Sequence, residues 1–275
     1  MSNTPKYFVN VEDRHTGCPA LPRAGAGRQN GSRLQRVAFV AYGALSYLLF
    51  LGAFLYLVGF VVGVAVPRTV DDAIDAPLAR AVVIDLGLLL VFALQHSVMA
   101  RPAFKRWWTR FVPEPIERST YVLVSSAAFA LLFWQWRSID ITVWHVNSAP
   151  ARIAITALGG LGWLIALAST FMIDHLELFG IRQVLHNLLS KPLVQKGFRV
   201  VMLYRLVRHP LMLGFLIAFW ATPTMTAGHL LFAAANTVYI LVALQLEERD
   251  LVAVLGEQYR RYRVRVPMLL PRPWR

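Results

Sequence analysis

Val37–Val66 is a run of thirty residues without a formal charge, and no other feature constrains the fold of this chain so strongly. A hydrocarbon layer about 30 Å thick is crossed by about 20 helical residues at 1.5 Å each, so the run predicts a membrane span. Ala81–Ala100, Ser119–Trp136 and Ala151–Ile173 predict three more, with Asp85 and His96 falling inside them, each near a segment end. Composition agrees: 57% of the residues are hydrophobic and 16% charged, against about a quarter charged in soluble domains.

Leu211–Leu246 is too long for one ordinary span, and "ATPTMTAG" (221–228) interrupts it with Pro, Thr and Gly. The spacing predicts a helical hairpin, one limb ending near Ala221 and the other running from about Ala227 to Leu246. Basic residues test this. The segments before the first span, between spans 2 and 3, between span 4 and the hairpin, and after the hairpin hold 6, 5, 6 and 7 Lys and Arg, and the two remaining loops hold 2 each when Arg152, at the very start of span 4, is counted with its loop. Positive-inside bias then places 24 of the 28 on the cytoplasmic side, provided the last apolar region crosses an even number of times. The expected fold class is all-α integral membrane, with four long transmembrane helices plus a C-terminal helical hairpin and both termini cytoplasmic.

The net charge of +13 is read as topology, not as nucleic-acid binding, because the bases sit between apolar runs. Residues 1–36 are rich in Gly, Pro, Arg and Asn without an apolar h-region, which predicts a mobile basic tail and no cleavable signal. Residues 37–173 form the four-span bundle, and 174–275 hold a loop, the hairpin and a tail. The single cysteine, Cys18, supports neither a disulfide framework nor a thiolate metal site, and no metal is expected. "GGLG" (159–162) is read as a close helix contact through small residues.

Ionisable groups at a membrane edge are costly and tend to be functional. This topology gathers Gln95 and His96, Asp174, His175 and Glu177, Tyr204, Arg205, Arg208 and His209, and Glu247, Glu248, Arg249 and Asp250 at one boundary. The hairpin sets "YRLVRH" against "EERD". Two readings stand: salt bridges that pin the hairpin shut, or a binding site. Pro210 has no N–H and biases His209 away from helical geometry, so backbone there is expected to be open to a ligand. Gly214 allows close approach of a helix or a planar group. Adjacent Glu247 and Glu248 cannot both face one groove, so one is expected at its rim.

"YRLVRHPLMLG" followed by "EERDLVAVLGEQYRRYRVRVPMLLP" resembles the C-terminal signature of the isoprenylcysteine carboxyl methyltransferase superfamily: Tyr-x4-His-Pro, a hairpin, Glu-Glu-x-x-Leu, Gly-Glu-x-Tyr and Val-Pro. Within it, "FMIDHLELFGIRQV", "QHSVMARPAFKRWW" and "RHPLMLGFLIAFWATPTMTAGHLLFAA" are similar to the methanethiol S-methyltransferase and NnrU-like branch. The resemblance implies an integral-membrane enzyme that binds S-adenosylmethionine at the cytoplasmic end of the hairpin and methylates methanethiol to dimethyl sulfide. It implies cofactor contacts at Tyr204, His209, Pro210, Leu211, Met212, Glu247 and Glu248, the first glutamate meeting the cofactor's polar portion. Met212 stands where relatives carry tyrosine, and Ala243 where prenylcysteine enzymes carry arginine, which favours a small thiol. A carboxyl or phospholipid-amine methyltransferase, or a non-enzymatic NnrU-like membrane protein, remains the alternative. The expected partners are the thiol and the lipid bilayer; the expected location is a bacterial-type inner membrane, with the site facing the cytoplasm. No oligomeric state is implied.

Methyl transfer to a thiol is helped by a base, since the thiolate is the nucleophile. His175 and His96 are the candidate bases, with Asp174 as a possible orienter of the imidazole; each histidine also reads as a hydrogen-bonded interfacial group. Trp107, Trp108, Trp134, Trp136 and Trp144, near span ends, read as an aromatic belt. Tyr259 and Tyr262 read as part of a tail that caps the cofactor or lies on lipid, with Arg260, Arg261, Arg263 and Arg265 meeting anionic headgroups. A haem subunit would need paired histidines at matching depth, and His96 has no evident partner.

Overall fold

A computed structural model describes residues 32–193 and 198–271. The predicted tail falls largely at 1–31, outside the described residues, as does Cys18. Among the described residues, five helices are long and apolar enough to cross a membrane: α1 (Arg33–Val62), α2 (Leu78–Ala100), α4 (Glu114–Gln135), α5 (Ala149–Ile173) and α9 (Ala227–Leu255). This fits an integral membrane protein. Shorter helices are α3 (Pro102–Trp108), α6 (His175–Leu178), α7 (Ile181–Leu188), α8 (Pro210–Trp220) and α10 (Glu257–Arg265). Helix α1 begins four residues earlier than its apolar run, because Ser32 caps it by accepting the Gln35 N–H.

Helix α8 has 11 residues, about 16 Å of rise, so it reaches only about half way through a hydrocarbon layer. The chain then leaves helical geometry for a feature not foreseen in an all-helical reading. Strand β2 (Thr224–Thr226) pairs antiparallel with β1 (Thr142–His145) from the α4–α5 connection. The ribbon gives the turn its hydrogen bonds: Val146 N–H donates to Pro223 O, Ala227 N–H to Ile141 O and Gly228 N–H to Ile139 O. Non-helical backbone at this depth is tolerated only when it is satisfied in this way. Thr226 then caps α9 by accepting the His229 N–H. Helix α9 continues to Leu255, past the predicted end near Leu246, since Glu, Arg and Leu favour helix. It stops at Gly256, whose φ of +59° suits glycine.

Helices α5 and α8 pack in backbone contact. A Cβ on Gly162 would fall 2.6 Å from Ala218 N, and one on Gly214 would fall 2.5 Å from Ala166 N. The small-residue contact expected of "GGLG" is therefore made by Gly159 and Gly162, while Gly160 faces open space. The pairings of 159 with 221, 162 with 214 and 218, and 166 with 214 make the two helices antiparallel. The Ile173 end of α5 thus stands beside the His209 end of α8. Helix α2 reaches that same end through Arg101, which pairs with Asp250 of α9 at 2.9 Å.

An aromatic core of Phe60, Phe133, Trp136, Trp163, Phe219 and Phe232 fills the space between these helices. Trp136 corrects the belt reading: it is fully buried, and its indole N–H donates to Val70 O at 3.1 Å. Trp107, Trp134 and Trp144 are exposed. Asp85 is fully buried and accepts the backbone N–H of Arg137 at 2.9 Å, a structural role in joining α2 to the end of α4.

Candidate active site

Pro210 opens α8, where a missing N–H costs nothing, and His209 precedes it at φ −128°, ψ 65°, outside helical geometry. The expected open backbone is not found. The chain after α10 folds back across this point, and the N–H groups of Arg208 and His209 donate to Pro267 O at 2.9 Å and Met268 O at 3.2 Å. Buried donors seek the nearest carbonyls, and the Val-Pro-Met segment supplies them.

The side chains meet around Glu248. Its Oε1 accepts from Arg208 Nε at 2.6 Å and lies 3.1 Å from His209 Nε2, and its Oε2 forms an ion pair with Arg263 Nε at 3.1 Å. Arg208 also donates to Arg263 O and Val266 O, at 3.1 and 2.6 Å. Glu248 and His209 are both buried. The salt-bridge reading of this cluster is therefore realised in the inner half of the glutamate pair. Glu247, about 100° round the helix, occupies the rim: its side chain is 47% exposed, and Oε2 is 3.9 Å from His209 Nδ1.

Tyr204 lies in a 3-10 turn, Met202–Arg205. Its carbonyl accepts the Tyr262 hydroxyl at 2.6 Å, while burial and then the nearby Glu247 charge push its own phenol pKa up. It therefore stays protonated, a donor beside a carboxylate. Tyr262 is pushed up to about 12 by burial. Tyr259 is also raised by burial, and both rings pack edge-on against Phe198. Helix α10 thus turns its tyrosines inward and Arg260 and Arg261 outward. Leu211 is half-buried, and Met212 packs against the apolar core.

His175 opens α6, next to the end of α5. Its Nε2 is 2.8 Å from the Tyr47 hydroxyl and its Nδ1 2.8 Å from Thr170 Oγ1. Phe171 stacks on the ring at 4.1 Å, and burial lowers the imidazole pKa, keeping it neutral. Asp174 lies beside His175 in sequence at the start of α6. It caps α6 through the Glu177 N–H and pairs with Arg182 at 2.7 Å, while hydroxyls orient His175. His96 is held by hydroxyls as well: Tyr121 OH is 2.7 Å from Nε2, and Ser125 Oγ is 3.3 Å from Nδ1.

Tyr204, His209, Pro210, Glu247 and Glu248 thus come together, whereas His96 and His175 each sit in a hydroxyl-lined group of their own. Arg263, one turn after Tyr259 and on its face, reaches Glu248 as well as the surface. Tyr47 and Tyr121 come from other helices and carry no local signal.

Residues 85–255 match the family described as NnrU protein. The chain is 62% identical over 242 residues to methanethiol S-methyltransferase of Mycobacterium tuberculosis, covering 88% of this chain and 99% of the relative. It is 49% identical over 245 residues to methanethiol S-methyltransferase 1 of Bradyrhizobium diazoefficiens, covering 89% and 85%. Nurim of Pan troglodytes is 33% identical over 189 residues, covering 66% and 70%. No solved structure matches. With more than half of the chain matched to one family and nearly the whole length of a relative covered, this protein belongs to the NnrU family, alongside relatives named methanethiol S-methyltransferase.

Proposed function

We propose that this protein transfers a methyl group from S-adenosylmethionine to methanethiol, forming dimethyl sulfide, at the mouth of the α8–α9 pair. The observation that carries this reading is the 62% identity across 99% of a relative named for that reaction. The donor set at the mouth fits an amphoteric ligand. Glu247 offers a half-exposed carboxylate to an ammonium or to ribose hydroxyls, and His209 Nδ1 and the Tyr204 phenol stand beside it. Glu248, saturated by Arg208, His209 and Arg263, holds the wall, with Pro210, Leu211 and Met212 continuing it.

Bound S-adenosylmethionine supplies an electrophilic methyl on a sulfonium. The thiol sulfur forms the new S–C bond as the sulfonium C–S bond breaks, and the thiol proton leaves. His175 is the favoured acceptor of that proton. It is neutral, and the register of α5 against α8 supports a position close to the mouth. Its Tyr47 and Thr170 hydroxyls hold the ring, and Asp174 fixes the local turn through Arg182. His96, with Tyr121, is the second candidate.

In this reading α1, α2, α4 and α5 form the 37–173 bundle, and 174–275 carries the donor site. Helix α8 at about 16 Å plus six non-helical residues at about 3.3 Å each completes a crossing, so the pair spans twice. The 24-to-4 basic bias supports cytoplasmic termini and a site facing the cytoplasm.

Calorimetry with S-adenosylmethionine tests the site. Glu247→Gln and His209→Ala should each weaken binding by about tenfold or more, the worth of a charge-assisted hydrogen bond. Unchanged affinity in both would remove the assignment. His175→Ala should lower kcat by about 10²–10⁴-fold with donor affinity intact; unchanged turnover would pass the role to His96.

A further inference from the structure

Rings wall the His175 imidazole on several sides. Phe171 stacks on it with centroids 4.1 Å apart, while Phe179 meets it edge-on at 4.9 Å and Tyr47 edge-on at 5.7 Å. Phe50 stands behind, stacked on Phe179 at 3.9 Å and 6.2 Å from Tyr47. We infer, resting on the methyl-transfer reading, that this aromatic box is the acceptor pocket, that it takes methanethiol and rejects longer thiols, and that Phe171 sets the limit.

The basic nitrogen of His175 faces into the box. Thr170 Oγ1 donates its single proton to Leu167 O at 2.7 Å, so towards His175 Nδ1, at 2.8 Å, it can only accept. Nδ1 therefore carries the imidazole proton and Nε2 the lone pair, which accepts from the Tyr47 hydroxyl at 2.8 Å. A thiol that takes over this hydrogen bond from Tyr47 sets its sulfur among the rings of Tyr47, Phe171 and Phe179, where sulfur packs favourably at about 5 Å. As the sulfur bonds the incoming methyl and the sulfonium C–S bond breaks, the S–H proton passes to Nε2. Dimethyl sulfide and the donor's thioether are left, with the positive charge on the imidazolium.

Helix register brings the box to the donor mouth. Gly159 faces Ala221, Gly162 faces Ala218 and Gly214 faces Ala166, and one turn further along α5 the same pairing sets Thr170 level with Pro210. Thr170 touches His175 directly, so the imidazole stands one side chain away from the corner where α8 begins.

Phe171 is 63% exposed, so its ring covers His175 from outside and has room to turn away. Exposed side chains change rotamer in picoseconds to nanoseconds, which lets a small acceptor in without backbone movement. The other walls pack on one another and lack that freedom. With the Phe171 ring back on the imidazole, one methyl group fits behind it and a longer chain does not.

Headspace assays of the detergent-solubilised full-length protein, with saturating S-adenosylmethionine and either methanethiol or 1-propanethiol, test the pocket. The wild type should favour methanethiol. Phe171→Ala should raise the ratio of kcat/KM for propanethiol over methanethiol by about tenfold or more, since one methylene in an apolar pocket is discriminated about 10–200-fold. A loss of stability would lower both rates and leave their ratio alone, so a merely structural ring is told apart from a specificity-determining one. Phe92→Ala removes the ring stacked on His96 and should not move the ratio. Wild-type methylation of methanethiol with an unchanged ratio in Phe171→Ala, or a shift in Phe92→Ala instead, would overturn the inference while the methyl-transfer reading stands. A wild type that gives no volatile product from methanethiol would fail that reading, and the inference with it.

Discussion

Glu248→Ala should abolish methyl transfer and lower stability by about 3–5 kcal/mol, the cost of removing one partner from a buried ion pair. Glu248 is 4% exposed, and its carboxylate is shared by Arg208, His209 and Arg263. Without it, two guanidiniums face each other at the same point. Arg208 also holds Val266 O and Arg263 O, so the return segment that covers His209 should loosen with it. The substitution therefore strikes α8, α9 and the tail together. Thermal unfolding in detergent and donor binding should both collapse. Glu248→Gln keeps the shape and one acceptor oxygen but not the charge, and should fall between. A wild-type melting temperature in Glu248→Ala would mean that the cluster does not hold the mouth together.

Gly162→Leu should be the second severe change, and Gly160→Leu, two residues away, nearly silent. A Cβ on Gly162 meets the backbone of Ala218 at 2.6 Å and Gly214 O at 2.7 Å, whereas a Cβ on Gly160 meets nothing within 4 Å. Backbone cannot rotate out of the way as a side chain can, so α5 and α8 must separate. Overpacking of this kind costs about 3 kcal/mol; the outward change should stay within about 0.5 kcal/mol. Since α8 begins at the His209–Pro210 corner, Gly162→Leu should also weaken donor binding. Unfolding curves of the two variants, recorded side by side, check the contrast. Equal effects would contradict the close packing of α5 on α8.

The long helices were legible in the sequence because uncharged runs beyond about 20 residues have few alternatives. The meeting of "YRLVRH" with "EERD" was legible as well, since a tight turn at 221–226 forces the helix ends together. What escaped depends on distant partners. The ribbon needs both "TVWH" (142–145) and "TMT" (224–226), short segments that read as loop on their own but hold threonine, valine and tryptophan, which suit strands. Trp136 looks like a belt residue by position, and only the Val70 carbonyl and the surrounding phenylalanines place it in the core. The open backbone expected at His209 is closed by carbonyls nearly sixty residues away, at Pro267 and Met268. His175 and His96 were singled out, but the tyrosines that hold them, Tyr47 and Tyr121, are 128 and 25 residues distant.

The most direct test of the proposed activity supplies methyl-labelled S-adenosylmethionine to the detergent-solubilised protein with methanethiol, hydrogen sulfide, a prenylcysteine or a phospholipid, and follows label in the headspace and in the lipid extract. Methanethiol should yield labelled dimethyl sulfide in the headspace, faster than any other acceptor is methylated. Methylation of another acceptor, with no volatile labelled product from methanethiol, would contradict the reading.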